Sequence, residues 1–283
     1  MPGNAARKAT LAALLAGTVM VAPALGDEDA ELVIDGEVFV TRTEAPEHME
    51  YISEIMSGWV FRSAETQAVQ MDDFDNPGML YVDGGLEEWT NVEGTAGESC
   101  ASCHGDPESM AGVRTQMPHV NEDGELWAME DYINNCRTER MGAEEWGWES
   151  ADMLNMTTMI SYQSRGMPMD VQIDGEAEEY WEWGRELYYT RFGQLNLSCA
   201  NCHEDNYGNM LRADHLSQGQ LNGFPVYRLK WAGVGSIHRR LRGCINDTRA
   251  TSFARGSDEL TALELYVSSR GNGLSVEAPS VRN

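Results

Sequence analysis

Two copies of Cys-x-x-Cys-His, Cys100 to His104 and Cys199 to His203, lie 99 residues apart and use four of the six cysteines. Two thiols three positions apart can each add to a vinyl group of one porphyrin, and the adjacent imidazole then lies under the iron as proximal ligand. One copy alone would also suit a zinc half-site or a thioredoxin-type redox pair. Two copies behind an export-like N-terminus predict two covalently bound haem c groups. Cys100, Cys103 and His104 would hold one, and Cys199, Cys202 and His203 the other.

Each iron then needs a ligand on its far face. Met117, Met167 and Met169, each beside a proline, are available, as are His119, His215 and His238. The two remaining cysteines are preferred because they alone recur at matching places: Cys136 follows His104 by 32 residues and Cys244 follows His203 by 41. A Cys136–Cys244 disulfide is the competing reading in an oxidising compartment, but it would tie together two sites that an internal repeat places apart. Thiolate ligation brings negative charge to the metal, favours ferric iron and predicts low potentials.

The elements that must position these groups are legible as that repeat. Gly85-x-Glu87 precedes Cys100 as Gly184-x-Glu186 precedes Cys199, by fifteen residues, and Gly94 and Gly193 precede the same cysteines by six. Ser164-Arg165-Gly166 and Ser269-Arg270-Gly271 close the two copies. The fold expected is mainly α: two tandem cytochrome c domains, residues 76–170 and 171–283, joined near Met169 to Glu176, after an N-terminal extension of residues 27–75. In the extension, Glu31 to Ile34 and Val38 to Val40 read as strands around the turn Asp35-Gly36. Tyr180, Trp181, Gly184, Leu187 and Tyr188 recur at helical steps, and Leu86 with Trp89 form a similar stripe in the first half. These aromatics read as core.

Arg7 and Lys8 precede an uncharged stretch that ends in Ala24-Leu25-Gly26, so residues 1–26 read as a secretory signal peptide; the rival is an uncleaved anchor. No later segment reads as a membrane span, and the compartment expected is the bacterial periplasm. The remaining chain has 18 basic against 46 acidic residues, a formal charge of −28, which disfavours nucleic acid and anionic membranes as partners. The hydrophobic fraction of 42% is low for a globular chain, and two porphyrins would supply core of their own.

The tandem motifs, Asn135-Cys136-Arg137, Ser164 to Pro168 and the run from Tyr227 to Cys244 together resemble the SoxA family, the larger subunits of the SoxAX cytochromes of sulfur-oxidising bacteria. The resemblance covers nearly all of the mature chain, and retention of the first motif with Cys136 points to the diheme form. It implies an L-cysteine S-thiosulfotransferase that joins thiosulfate oxidatively to a thiol on the carrier SoxYZ, in a heterodimer with a monohaem SoxX-like cytochrome. It also implies that Cys244 is the ligand of the active-site haem, and that Arg240 and Lys230 are its cationic residues. His104 and Cys136 would serve the other haem.

An independent reading agrees. A strongly acidic protein repels a small dianion unless the charge reverses locally. Between Arg228 and Arg249 it does: Arg228, Lys230, Arg239, Arg240, Arg242 and Arg249 face the single acid Asp247. Singly, Arg228, Arg239, Arg242 and Arg249 read as structural, while Arg240 and Lys230 stand out through the resemblance. Two rival functions remain at this stage. A plain electron-transfer cytochrome would use methionine or histidine as sixth ligand. A diheme peroxidase would need an open iron site.

Overall fold

The computed structural model describes residues 30–283, so the signal-peptide expectation lies outside the described residues. Among them, no helix is long and apolar enough to cross a membrane. Nine α-helices are described: α1 (Ala64–Met71), α2 (Met79–Thr90), α3 (Cys100–His104), α4 (Met129–Asn135), α5 (Ala151–Tyr162), α6 (Glu178–Tyr189), α7 (Cys199–His203), α8 (Ile237–Asp247) and α9 (Asp258–Ser269).

One arrangement occurs twice. Helix α2 crosses α5, and α6 crosses α9, each pair meeting at the glycine that the repeat singled out. A Cβ on Gly85 would fall 2.4 Å from Met159 Cβ and 2.6 Å from the Asn155 carbonyl; on Gly184 it would fall 2.0 Å from the Ala262 carbonyl. Only a residue without a side chain allows backbones so close. The buried stripes are Val82, Gly85 and Trp89 on α2 and Trp181, Gly184 and Tyr188 on α6. Leu86, expected in the first stripe, is exposed. It follows Gly85 by one residue, about 100° around the helix from the crossing.

After each crossing the chain turns through a left-handed glycine, Gly94 (φ 69°) or Gly193 (φ 62°), and enters the short motif helix. Both motif helices start on a reciprocal cap. Ser99 Oγ accepts from Ser102 N while Ser102 Oγ accepts from Ser99 N, and Ser198 and Asn201 do the same. Gly94 packs on the Met141 carbonyl and Gly193 on the Thr248 carbonyl, the turns that follow the two lone cysteines. The copies differ there. Cys136 opens a π-helical turn, Cys136–Met141, before the left-handed Gly142, whereas Cys244 lies inside regular α8 before the left-handed Arg249. The wider π-turn absorbs the one extra residue of the first copy.

The expected joint is a buried seam. Met169 and Val171 are both 2% exposed. Gly166 N donates to Val276 O, Val276 N to Met167 O and Met169 N to Leu274 O, so the segment lies along the C-terminal tail. Arg114 of the first half, also buried, donates to Leu221 O and Phe224 O of the second. The extension begins with the expected hairpin, Val33–Ile34 paired to Glu37–Val38 around Asp35 (φ 52°) and Gly36 (φ 83°). It straps onto the C-terminal half: Val40 N donates to Ser275 Oγ, Met56 N to Gln218 Oε1, and Gln70 on α1 to Glu277. Strand Val226–Arg228 lies at the centre of a three-stranded sheet, antiparallel to Gly233–Gly235 and parallel to Ser280–Arg282.

Candidate active site

No disulfide joins any of the six cysteines, and each lone cysteine faces its own motif. Cys136 interacts electrostatically with Cys100 and Cys103, and Cys244 with Cys199 and Cys202. In the first copy, His104 packs beside Trp89, ring centroids 5.8 Å apart, and Trp89 Nε1 donates to the Gly105 carbonyl at 2.8 Å. Burial raises the Cys136 pKa, with Arg140 pulling the other way. The neighbouring Arg137 stacks over Trp146 at 3.7 Å and pairs with Glu93 at 2.7 Å, fixing the turn that presents the thiol.

The second copy is built differently. His203 Nδ1 lies 2.7 Å from the Ser217 carbonyl, which leaves Nε2 as the nitrogen available to a metal. Gly219 (φ 81°) closes the loop over the imidazole, where a Cβ would fall 2.9 Å from His203 Cγ. Cys244, half-buried on α8, lies close to the His203 side chain. Burial raises its pKa, but Arg240 and the His203 side chain outweigh that and bring it down to about 7. Cys136 and Cys244 are therefore shifted in opposite directions by their surroundings.

Arg240 sits one helical turn before Cys244 on α8, and Lys230 lies exposed in the turn Leu229–Trp231 between two strands of the sheet. Burial and the nearby cations Arg228 and Arg240 lower the Lys230 pKa. Arg228, read singly as structural in the sequence, is the buried cation of this group. It is 4% exposed, donates to Asn283 O at 2.7 Å and lies 3.3 Å from Asp214. Burial and repulsion from Arg240 lower its pKa to about 10, against the pull of Asp214 and Cys244. The alternation Val226-Tyr227-Arg228 carried the signal, because it puts Arg228 on the buried face shared with Val226. Asp214 is shared with Arg62 of the extension, whose guanidinium also donates to His215 O at 2.7 Å. Of the other cations in the run, Arg239 stacks over Trp231 at 4.2 Å and Arg249 occupies a left-handed turn.

The alternative far-side ligands have other surroundings. Met169 is in the seam, Met167 is exposed beside it, and Met117 packs in the apolar cluster of α2 and α5. His119 is exposed on a two-residue strand, and His215 pairs across a hairpin with Met210. His238 is fully buried: Nδ1 accepts from Gly256 N and Nε2 lies 3.2 Å from Glu264. The residues present fit a covalently attached haem at each motif. Each site offers two thiols on one turn, an adjacent imidazole and a facing thiol, and in the second copy Gly219 leaves open the space at the imidazole that a side chain would fill.

Residues 84–169 match the family SoxA/TsdA, cytochrome c domain. The L-cysteine S-thiosulfotransferase subunit SoxA of Paracoccus pantotrophus is 56% identical over 291 residues, covering 100% of both chains. The chain belongs to the SoxA family. The SoxA subunit of Rhodovulum sulfidophilum is 55% identical over 90% of both chains. The crystal structure of SoxXA from P. pantotrophus superposes with a TM-score of 0.88 at 57% identity, over 90% of this chain and 99% of that one. As a SoxA-family c-type cytochrome, the chain binds haem c covalently.

Proposed function

We propose that this chain is the diheme subunit of a periplasmic L-cysteine S-thiosulfotransferase. It would pair with a SoxX-like monohaem cytochrome and join thiosulfate to a cysteine thiol of a SoxYZ-type carrier. Each cytochrome c unit, residues 76–170 and 171–283, carries one haem c, held by Cys100, Cys103 and His104 or by Cys199, Cys202 and His203, with Cys136 and Cys244 as the facing ligands. The observation that carries the reading is the placement of Cys244 opposite His203 beside the cations Arg240, Arg228 and Lys230, in a chain that is otherwise strongly acidic.

Arg240 and Lys230, with Arg228 behind them, bind the sulfonate oxygens of thiosulfate by paired and point-charge contacts. Its outer sulfur forms a bond to Cys244 Sγ, giving a cysteine S-thiosulfonate and releasing two electrons. When bound, the two haems and the partner's haem supply one-electron acceptors for that pair. The carrier thiolate then attacks the sulfur bonded to Cys244, forms a new S–S bond to the –S–SO3⁻ unit as its bond to Cys244 Sγ breaks, and returns Cys244 as thiolate, a thiol–disulfide-type exchange that balances without further electrons. Cys244→Met tests the assignment. The variant should load both haems and lose thiosulfate conjugation; normal turnover would refute the role assigned to Cys244.

A further inference from the structure

Helix α8 carries Arg240 and Cys244, and its N-terminus has a charge problem. The first turn reads Ile237-His238-Arg239-Arg240 with no acidic residue, so cations stand at the end where the helix dipole favours anions. The compensating charge comes from the other half of the molecule. Glu149, just ahead of α5, accepts from Ser236 N at 3.2 Å and from Ser236 Oγ, the N-cap of α8. Its other oxygen lies 3.5 Å from Arg239, and Arg255 is 4.0 Å away.

Trp148 makes a second hold. It stacks on the buried His238 ring with centroids 4.3 Å apart and planes at 17°. Gly256 N donates to His238 Nδ1 at 3.0 Å, and Nε2 lies 3.2 Å from Glu264 of α9. A Cβ on Gly256 would fall 2.8 Å from Trp148 Nε1, so this contact is closely packed. At the other end of the segment, Trp146 exchanges two hydrogen bonds with Asn134, of 2.9 and 3.0 Å, and lies under Arg137. Four residues, Trp146 to Glu149, thus run from the helix leading to Cys136 to the N-terminus of the helix carrying Cys244.

We propose that Glu149 and Trp148 are positioning residues for the sulfur-joining reaction: they set the height and rotation of α8, and with it the place of Cys244 and Arg240 relative to His203 and Lys230. This rests on the function proposed above. Lys230 and Arg228 lie outside α8, so substrate docking survives loss of the clasp better than capture at Cys244 does.

The test uses the haem-loaded complex with its partner cytochrome, carrying Glu149→Gln, Glu149→Ala, Trp148→Phe or Trp148→Ala. Steady-state kinetics and the low-spin ferric EPR signals of the two sites are measured. Glu149→Ala should lower kcat about 10-fold while KM for thiosulfate moves less than about 3-fold, the pattern of misplaced reacting groups. It should also shift or split the signal of the Cys244 site and leave that of the Cys136 site alone. Glu149→Gln keeps an acceptor for Ser236 and should be milder, as should Trp148→Phe beside Trp148→Ala. Wild-type kcat with an unmoved Cys244-site signal overturns the proposal, and so does an equal change at both sites. If Glu149→Ala fails to assemble, an unmoved signal in Glu149→Gln overturns it instead. Should Cys244→Met prove active, the kinetic arm falls with the functional reading, while the EPR arm still judges the clasp.

Discussion

Replacing Gly184 by alanine asks whether the crossing of α6 and α9 depends on backbone contact. The new Cβ would stand 2.0 Å from the Ala262 carbonyl, about 1.4 Å short of ordinary contact at 3.4 Å, and 2.9 Å from Tyr266 Cβ. The nearest atom is backbone in the middle of a buried helix and cannot swing aside, so the helices must part. Overpacking of this kind costs about 3 kcal/mol, and alanine returns about 1 kcal/mol of helix propensity. The net loss of about 2 kcal/mol corresponds to about 4–8 °C in Tm for a chain of this size. Thermal unfolding of the haem-loaded protein, followed by calorimetry, reads the shift. Gly85→Ala should fall similarly, because its Cβ meets the Asn155 carbonyl at 2.6 Å. A Tm at or above that of the parent for Gly184→Ala would mean that the crossing tolerates separation, and the account of why glycine recurs at both positions would be wrong.

Arg240→Gln removes a half-buried charged donor and should lower kcat/KM for thiosulfate about 30-fold, or about 2 kcal/mol; Lys230→Gln, at an exposed site, should cost about 3-fold. Equal losses would refute the ranking. His48 offers a pH test. Burial, helped by Arg270 and Arg185, lowers its pKa from 6.5 to about 4, so the folded state binds fewer protons than the unfolded one in that interval. Stability should therefore fall as pH drops from 6.5 toward 4, by about 1 kcal/mol after allowing for solvent screening, and His48→Gln should flatten that limb in urea titrations.

Much of this was legible because the motif chemistry and the repeat are local in sequence. Gly85, Gly94, Gly184 and Gly193 could be placed from spacing alone, since each sits at a fixed offset from a cysteine and each is required by a backbone approach that no side chain permits. The contacts of Arg228 and Arg62 were not legible. Their roles depend on Asp214 in a hairpin after the second motif, and on an extension that crosses the molecule to reach it. Spacing along the chain carries no record of such contacts. The same limit hid Glu149: nothing beside it in the sequence shows that the fold brings it to Ser236, 87 residues away.

The two copies share a scaffold, yet in the proposed function only one would hold an anion, and the difference traces to the residue one turn before each lone cysteine. On α8 that residue is Arg240. On α4 it is Tyr132, whose ring packs edge-on against Trp127 with centroids 5.0 Å apart. The cation that acts on Cys136 is Arg140, one turn after it, while Arg137 is committed to Glu93 and Trp146. A site with one cation gives a dianion little reason to dock in a chain with such an excess of carboxylates. Cys136→Met should accordingly remove the thiolate signature of the first site and leave KM for thiosulfate within about 2-fold of the parent, because binding energy is supplied elsewhere. A 10-fold rise in KM would show that thiosulfate docks at the first copy as well, and the division of labour argued from Tyr132 and Arg240 would not stand.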